Sequence, residues 1–228
     1  MPLPPPVSLD MRSGAPNDYW RARVAQHFHD TYAGVQMTKF PEDLRTYEHL
    51  LWESAANVVI EFGSYGGGSV LWFRDRLEAM VGHGRIRDPL VIAVDIDAAT
   101  TRANVRYHRG VEILEADQLD PALPGRIRAL LPDRARPFIV EDSAHEYATT
   151  RAALVGFADL VPVGGFFVVE DGCVDVEQLR LDPSWPRGVL PALHDWLATP
   201  QGQRYRVRHD LELYGMSCHP GGFLQRAV

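Results

Sequence analysis

The chain has 228 residues, 46% of them hydrophobic and 23% charged, with a formal net charge of −7. That length suits one soluble domain burying roughly 70% or more of its unfolded surface, and the acidic balance excludes a nucleic-acid protein, which needs a surplus of Lys and Arg. No apolar run reaches the ~18–20 residues of a membrane span, no signal peptide is visible in Met1–Trp20, and two cysteines, Cys173 and Cys218, suit a reducing cytoplasm rather than a disulfide framework.

In chain order, residues 1–17 carry four prolines in the first six positions and no apolar periodicity, which reads as a flexible arm. Residues 18–56 read as an N-terminal helical appendage. Tyr19, Trp20, Val24, Phe28 and Tyr32 recur at three-to-four spacing, and Pro41 opens a second helix with Leu44, Tyr47, Leu50 and Leu51 as its stripe. Residues 57–228 alternate short continuous apolar runs with helical stretches. The runs are Val58–Phe62, Leu90–Val94, Val111–Leu114, Pro137–Val140 and Gly165–Val169; helices are expected near Gly68–Val81, Ala98–Tyr107, Pro124–Leu131 and Glu146–Leu160. Continuous rather than alternating runs belong to parallel strands covered on both faces. The fold predicted is α/β, a doubly wound, mostly parallel sheet closed by an antiparallel hairpin within Arg204–Arg226, around His219-Pro220-Gly221-Gly222.

Ligands of such sheets bind beyond the carboxyl ends of the strands. The first run leads into Glu61-Phe62-Gly63-Ser64-Tyr65-Gly66-Gly67-Gly68-Ser69, where glycines allow a sharp turn and close approach to a ligand. It is no GxGxxG fingerprint, P-loop or hydrolase elbow; it has the form of an S-adenosylmethionine loop, and equally of a plain tight turn. Asp95, after the second run, suits a ribose diol, while Asp97 suits a helix cap. Asp117 and Gln118, after the third, suit an adenine edge or an ordinary polar loop. Asp142 follows the fourth run and Glu170-Asp171 the fifth. If those strands are neighbours, three carboxylates converge and repel, with no basic run nearby in sequence to offset them. A hard divalent cation, Mg²⁺-like, is the economical partner. His145, three residues past Asp142, suits a proton acceptor beside such a cation, or a helix cap.

Glu61-x-Gly63-x-Tyr65-x-Gly67-x-Ser69, the Ala116-Asp117-Gln118 step and the 142/170/171 carboxylates resemble the cation-dependent O-methyltransferases of the catechol type. Glu170 in place of Asp, and His145 where that family has Lys, bring the chain nearer to the cephalosporin hydroxylase and macrolide-sugar O-methyltransferase type. Lys39-Phe40-Pro41-x-Asp43-Leu44 and Pro220-Gly221-Gly222-Phe223-Leu224 resemble that second group too. The resemblance implies a Rossmann-like class I fold of seven strands that binds S-adenosylmethionine. Glu61, Gly63, Tyr65, Gly67 and Ser69 would hold its methionine end, Asp95 the ribose, Asp117 and Gln118 the adenine, with Asp142 alongside. It further implies a divalent cation on Asp142, Glu170 and Asp171, and His145 as the base in O-methylation of a small secondary metabolite with vicinal oxygens, as in antibiotic biosynthesis. The partners implied are a small-molecule acceptor and, for assembly, further copies in a homo-oligomer, with no nucleic acid and no membrane. Trp185, in the loop Asp182–Arg187, suits stacking on a ring or sugar face, or packing against its own helix. The alternatives are a metal-independent C- or N-methyltransferase of the same fold, and a cofactor-binding module without turnover.

Overall fold

The computed structural model describes residues 16–105, 108–180, 182–212 and 217–228; of the arm expected over 1–17, all but the last two residues lie outside them. The elements run α1 (Pro16–His27), β1 (Thr31–Tyr32), β2 (Val35–Gln36), α2 (Pro41–Ser54), β3 (Val58–Phe62), α3 (Gly68–Gly82), β4 (Leu90–Asp95), α4 (Ala99–Val105) and β5 (Val111–Glu115). They continue with α5 (Leu123–Leu130), β6 (Pro137–Glu141), α6 (Tyr147–Phe157), β7 (Phe166–Val169), α7 (Val189–Leu197), β8 (Tyr205–Val207) and β9 (Phe223–Arg226).

The five continuous apolar runs are β3 to β7, and they pair in parallel in the order β5-β4-β3-β6-β7. Every residue of β3, β6 and β7 is buried, as two-sided cover requires. Side chains alternate between two apolar layers. Val58, Ile60 and Phe62 face a layer with Leu154 and Phe157 of α6 and Leu193 and Trp196 of α7. Val59, Val140 and Val168 face the other, with Tyr47, Leu50 and Leu51 of α2 and Phe73 and Leu77 of α3. The segment before β3 therefore supplies one wall of the core. The C-terminal hairpin is present as β8 and β9, but the strand last in sequence is inserted: β9 pairs antiparallel with both β7 and β8, leaving β8 at the edge.

One expected stripe is cut short. α1 ends at His27, and Tyr32 lies in a small hairpin, pairing with Val35 across a turn whose Ala33 and Gly34 have φ of 50° and 82°. Two successive left-handed residues match the twist of a two-residue hairpin and cannot continue a helix.

Candidate active site

The turn from β3 into α3 is shaped by what lies around it. Gly63 has φ of 86°, and a Cβ there would stand 1.9 Å from the Asp142 carbonyl oxygen, so only glycine lets the tips of β3 and β6 close together. Gly67, at φ 91°, packs on Val105 of α4, and Ser69 is buried in the first turn of α3. Asp95 holds the turn from the next strand: Tyr65 N–H donates to its Oδ2 at 2.9 Å, and Asp97 N–H to its Oδ1 at 3.1 Å. Asp97 Oδ1 accepts Ala99 N–H at 3.1 Å, the helix-capping reading of that residue.

These tips open on a cavity of about 580 Å³, within the roughly 300–1,000 Å³ of small-molecule sites. Gly63, Tyr65, Asp95, Asp117 and Gln118 line one end, and Asp142, His145 and Asp171 its floor. Glu61, Gly67, Ser69 and Glu170 are not in its lining. Gln118 is already engaged, its Nε2–H donating to Thr149 O at 2.7 Å and to Glu141 Oε1 at 3.3 Å, and Asp117 Oδ1 accepts Leu119 N–H at 2.8 Å. Trp20, His27, Phe28 and Trp185 contribute an aromatic wall. Phe28 and Trp185 meet edge-on at 6.5 Å. Arg180 fixes that wall by donating to four carbonyls of its own loop: Val174 at 2.6 Å, Pro183 at 2.8 Å, Pro186 at 3.4 Å, and Trp185.

Behind the floor lies a feature the sequence did not disclose. Continuing the alternation of β3, β6 and β7, Glu61, Asp142 and Glu170 point to the α2 side, and there Lys39 meets all three. Its Nζ donates to Glu170 Oε1 at 2.7 Å and Asp142 Oδ2 at 2.8 Å, and lies 3.4 Å from Glu61 Oε1. Burial opposes the ammonium, but Asp142, Glu170 and Glu61 outweigh it and hold the Lys39 pKa well above its ordinary value. Tyr47 O–H donates to the same Glu170 oxygen at 2.6 Å. Burial favours a protonated Glu170, yet the Lys39 ammonium, with the Tyr47 hydroxyl donating to it, prevails and keeps it ionised. Asp142 goes the other way: burial, then the charge of Glu170, pushes it well above the carboxylate range despite Lys39, and Asp171 adds to the push. Among the described residues neither oxygen of Glu61 has a hydrogen-bond partner, and burial raises its pKa too.

His145 and Asp171 both hold left-handed backbone, at φ 57° and 56°, a strained conformation for residues with side chains. His145 Nε2 stands 3.4 Å from Asp171 Oδ2, and its buried Nδ1 has no partner among the described residues. Asp142, His145 and Asp171 each offer a ligand atom within 4.8 Å of the others. Glu170, expected beside them, instead groups with Asp171 and His219. Asp171 N–H donates to His219 Nδ1 at 3.0 Å, leaving Nε2 to carry the proton of the neutral ring and donate to the Tyr47 hydroxyl oxygen at 3.2 Å, with Asp43 Oδ2 at 3.4 Å. Asp43, Tyr47 and His219 escaped the sequence reading because each sat in a pattern with a plainer meaning: a motif position, an apolar stripe and a turn.

Numbered from β3, the seven strands follow the order 3-2-1-4-5-7-6, and with a glycine-rich turn after the first of them this is the class I methyltransferase fold. A CmcI structure with Mg and S-adenosylmethionine superposes with a TM-score of 0.67 at 22% identity, over 98% of this chain and 90% of that one. The O-methyltransferase from Bacillus cereus, in complex with S-adenosylhomocysteine, does so at 0.55 and 18% identity, over 73% and 72%. Rhamnosyl O-methyltransferases of Mycobacterium tuberculosis and Mycobacterium leprae are each 27% identical to this chain, covering 86% of it and 78% and 82% of their own lengths. Residues 23–227 match the family model described as Rhamnosyl O-methyltransferase/CmcI, and the chain belongs to that family. Among the described residues no helix is long and apolar enough to cross a membrane.

Proposed function

We propose that the protein is an S-adenosylmethionine-dependent, divalent-cation-dependent O-methyltransferase of the cytoplasm, acting on a hydroxyl of a small secondary metabolite, a sugar or phenol with vicinal oxygens. The observation that carries this reading is the floor of the cavity, where Asp142, His145 and Asp171 offer ligand atoms within 4.8 Å of one another, with the glycine turn packed directly against Asp142. The residues fit both groups. Burial, and then the charge of Glu170, raise the pKa of Asp142 despite Lys39, and a hard cation on Asp142 and Asp171 would offset that cost. Gly63, Tyr65 and Asp95 present a close backbone and a strand-tip carboxylate to a nucleoside.

When bound, S-adenosylmethionine supplies the electrophilic methyl group, and a divalent cation supplies Lewis acidity that lowers the pKa of an acceptor hydroxyl. The chain's own groups do the rest. Asp142 and Asp171 would hold the cation, and Lys39 and Tyr47 keep Glu170 ionised behind them. His145, with Asp171 orienting its Nε2, accepts the acceptor's proton. The aromatic wall of Trp20, Phe28 and Trp185 offers faces on which a sugar or phenol can stack and excludes water from the approach.

The test is production of S-adenosylhomocysteine with a panel of glycosides and catechols, before and after chelation. Acceptor-dependent turnover that stops with chelator and returns with Mg²⁺ is expected. Turnover indifferent to chelation would favour the metal-independent C- or N-methyltransferase, and tight S-adenosylhomocysteine binding without turnover the cofactor-binding module.

A further inference from the structure

Both cysteines of the chain stand in the wall of this cavity, each only 6% exposed and neither in a disulfide. Cys173 lies in the tight turn Gly172–Asp175 after β7, and Cys218 just before β9. The backbone fixes their spacing: Cys173 N–H donates to Cys218 O at 3.1 Å, and Cys218 N–H to Asp43 Oδ2 at 3.1 Å. The two Sγ atoms and a carboxylate oxygen of Asp171 all lie within 4.8 Å of one another. Two thiolates on one tetrahedral zinc, at about 2.3 Å each, stand about 3.8 Å apart. The upper bound of 4.8 Å on the present separation is within about 1 Å of that spacing.

We propose that Cys173, Cys218 and Asp171 form a second metal site, selective for a thiophilic divalent ion such as Zn²⁺ or Cd²⁺. Soft sulfur ligands choose such ions over Mg²⁺, and carboxylate oxygen alone does not. Binding replaces the two thiol protons, which pass to solvent. The site shares Asp171 with the Asp142–His145–Asp171 group, so its occupation withdraws a ligand from the hard cation and inhibits methyl transfer. That inhibition rests on the function proposed above; the binding does not.

The test is titration of the reduced, metal-free full chain with Cd²⁺ in excess Mg²⁺, followed by the ultraviolet charge-transfer absorption of a thiolate–metal bond. A band saturating at one equivalent is expected, lost in Cys173→Ser and in Cys218→Ser, with Cys173→Ala and Cys218→Ala and circular dichroism to confirm folding. A wild-type chain without the band, or a band that survives either single substitution, overturns the proposal. Calorimetry with S-adenosylhomocysteine on the same preparations reads the proposed function separately, so failure of one is distinguishable from failure of the other.

Discussion

In the proposed mechanism His145 belongs to the chemistry of the site and Lys39 to its support. His145 lies at the cavity surface with one ring nitrogen facing Asp171, so His145→Gln should lower turnover by about 10²–10⁴-fold while leaving S-adenosylhomocysteine and cation affinities close to wild type. Steady-state kinetics and calorimetry together check this, and a cation affinity that falls with turnover would make His145 a ligand rather than a base. Lys39 is different. Its loss strands Glu61, Asp142 and Glu170 in a buried pocket, and breaking a buried ion pair from one side costs about 3–5 kcal/mol. Lys39→Met should therefore lower the urea midpoint sharply; an unchanged midpoint would mean the carboxylates are neutral in the native state. The sequence made His145 legible because it sits three residues from Asp142. Lys39 was visible as the chain's one lysine and as a motif position, but its partners come from three different strands, and only the sheet's alternation brings them together. Tyr47 shows the same limit: its ring belongs to the apolar stripe of α2, and only its hydroxyl reaches the site.

At the scale of elements, the strands were the most legible part because continuous Val, Ile and Phe runs have few other uses. The strand-tip carboxylate Asp95 is the last residue of β4, and its Oδ2 accepts Tyr65 N–H in the glycine turn. Gly67→Ala tests that turn: a left-handed backbone at a residue with Cβ costs about 1–2 kcal/mol, and the new methyl would meet Val105 Cγ2 at 2.9 Å. Stability by urea denaturation should fall by at least this amount. The loop carrying Trp185 was legible as a loop, but what fixes it was not, because Arg180 binds main-chain carbonyls, which leave no trace in side-chain patterns. Arg180→Met should raise KM for the acceptor and leave S-adenosylhomocysteine affinity unchanged, since the loop borders the aromatic wall and not the glycine turn. A lower kcat at unchanged KM would place the loop in the chemistry instead.

For the whole molecule, the acidic excess that first excluded nucleic acid is concentrated where function resides. Glu61, Asp142 and Glu170 face a core side otherwise apolar, where one lysine meets all three, while Asp171 lines the cavity. Three carboxylates after adjacent strands were legible from spacing alone; that Glu170 turns inward to Lys39 and Tyr47 was not, because side-chain direction at a strand tip depends on the neighbouring layer. The site therefore divides into an inner, ion-paired half and an outer half open to ligand, and the account depends on the outer half binding a cation. Calorimetric titration of Mg²⁺ into the chain saturated with S-adenosylhomocysteine, in wild type and Asp142→Asn, tests this most directly. The account predicts one Mg²⁺ site in the wild type and its loss in the variant; a wild type that binds no cation, or a variant that binds it as well as the wild type, would contradict it.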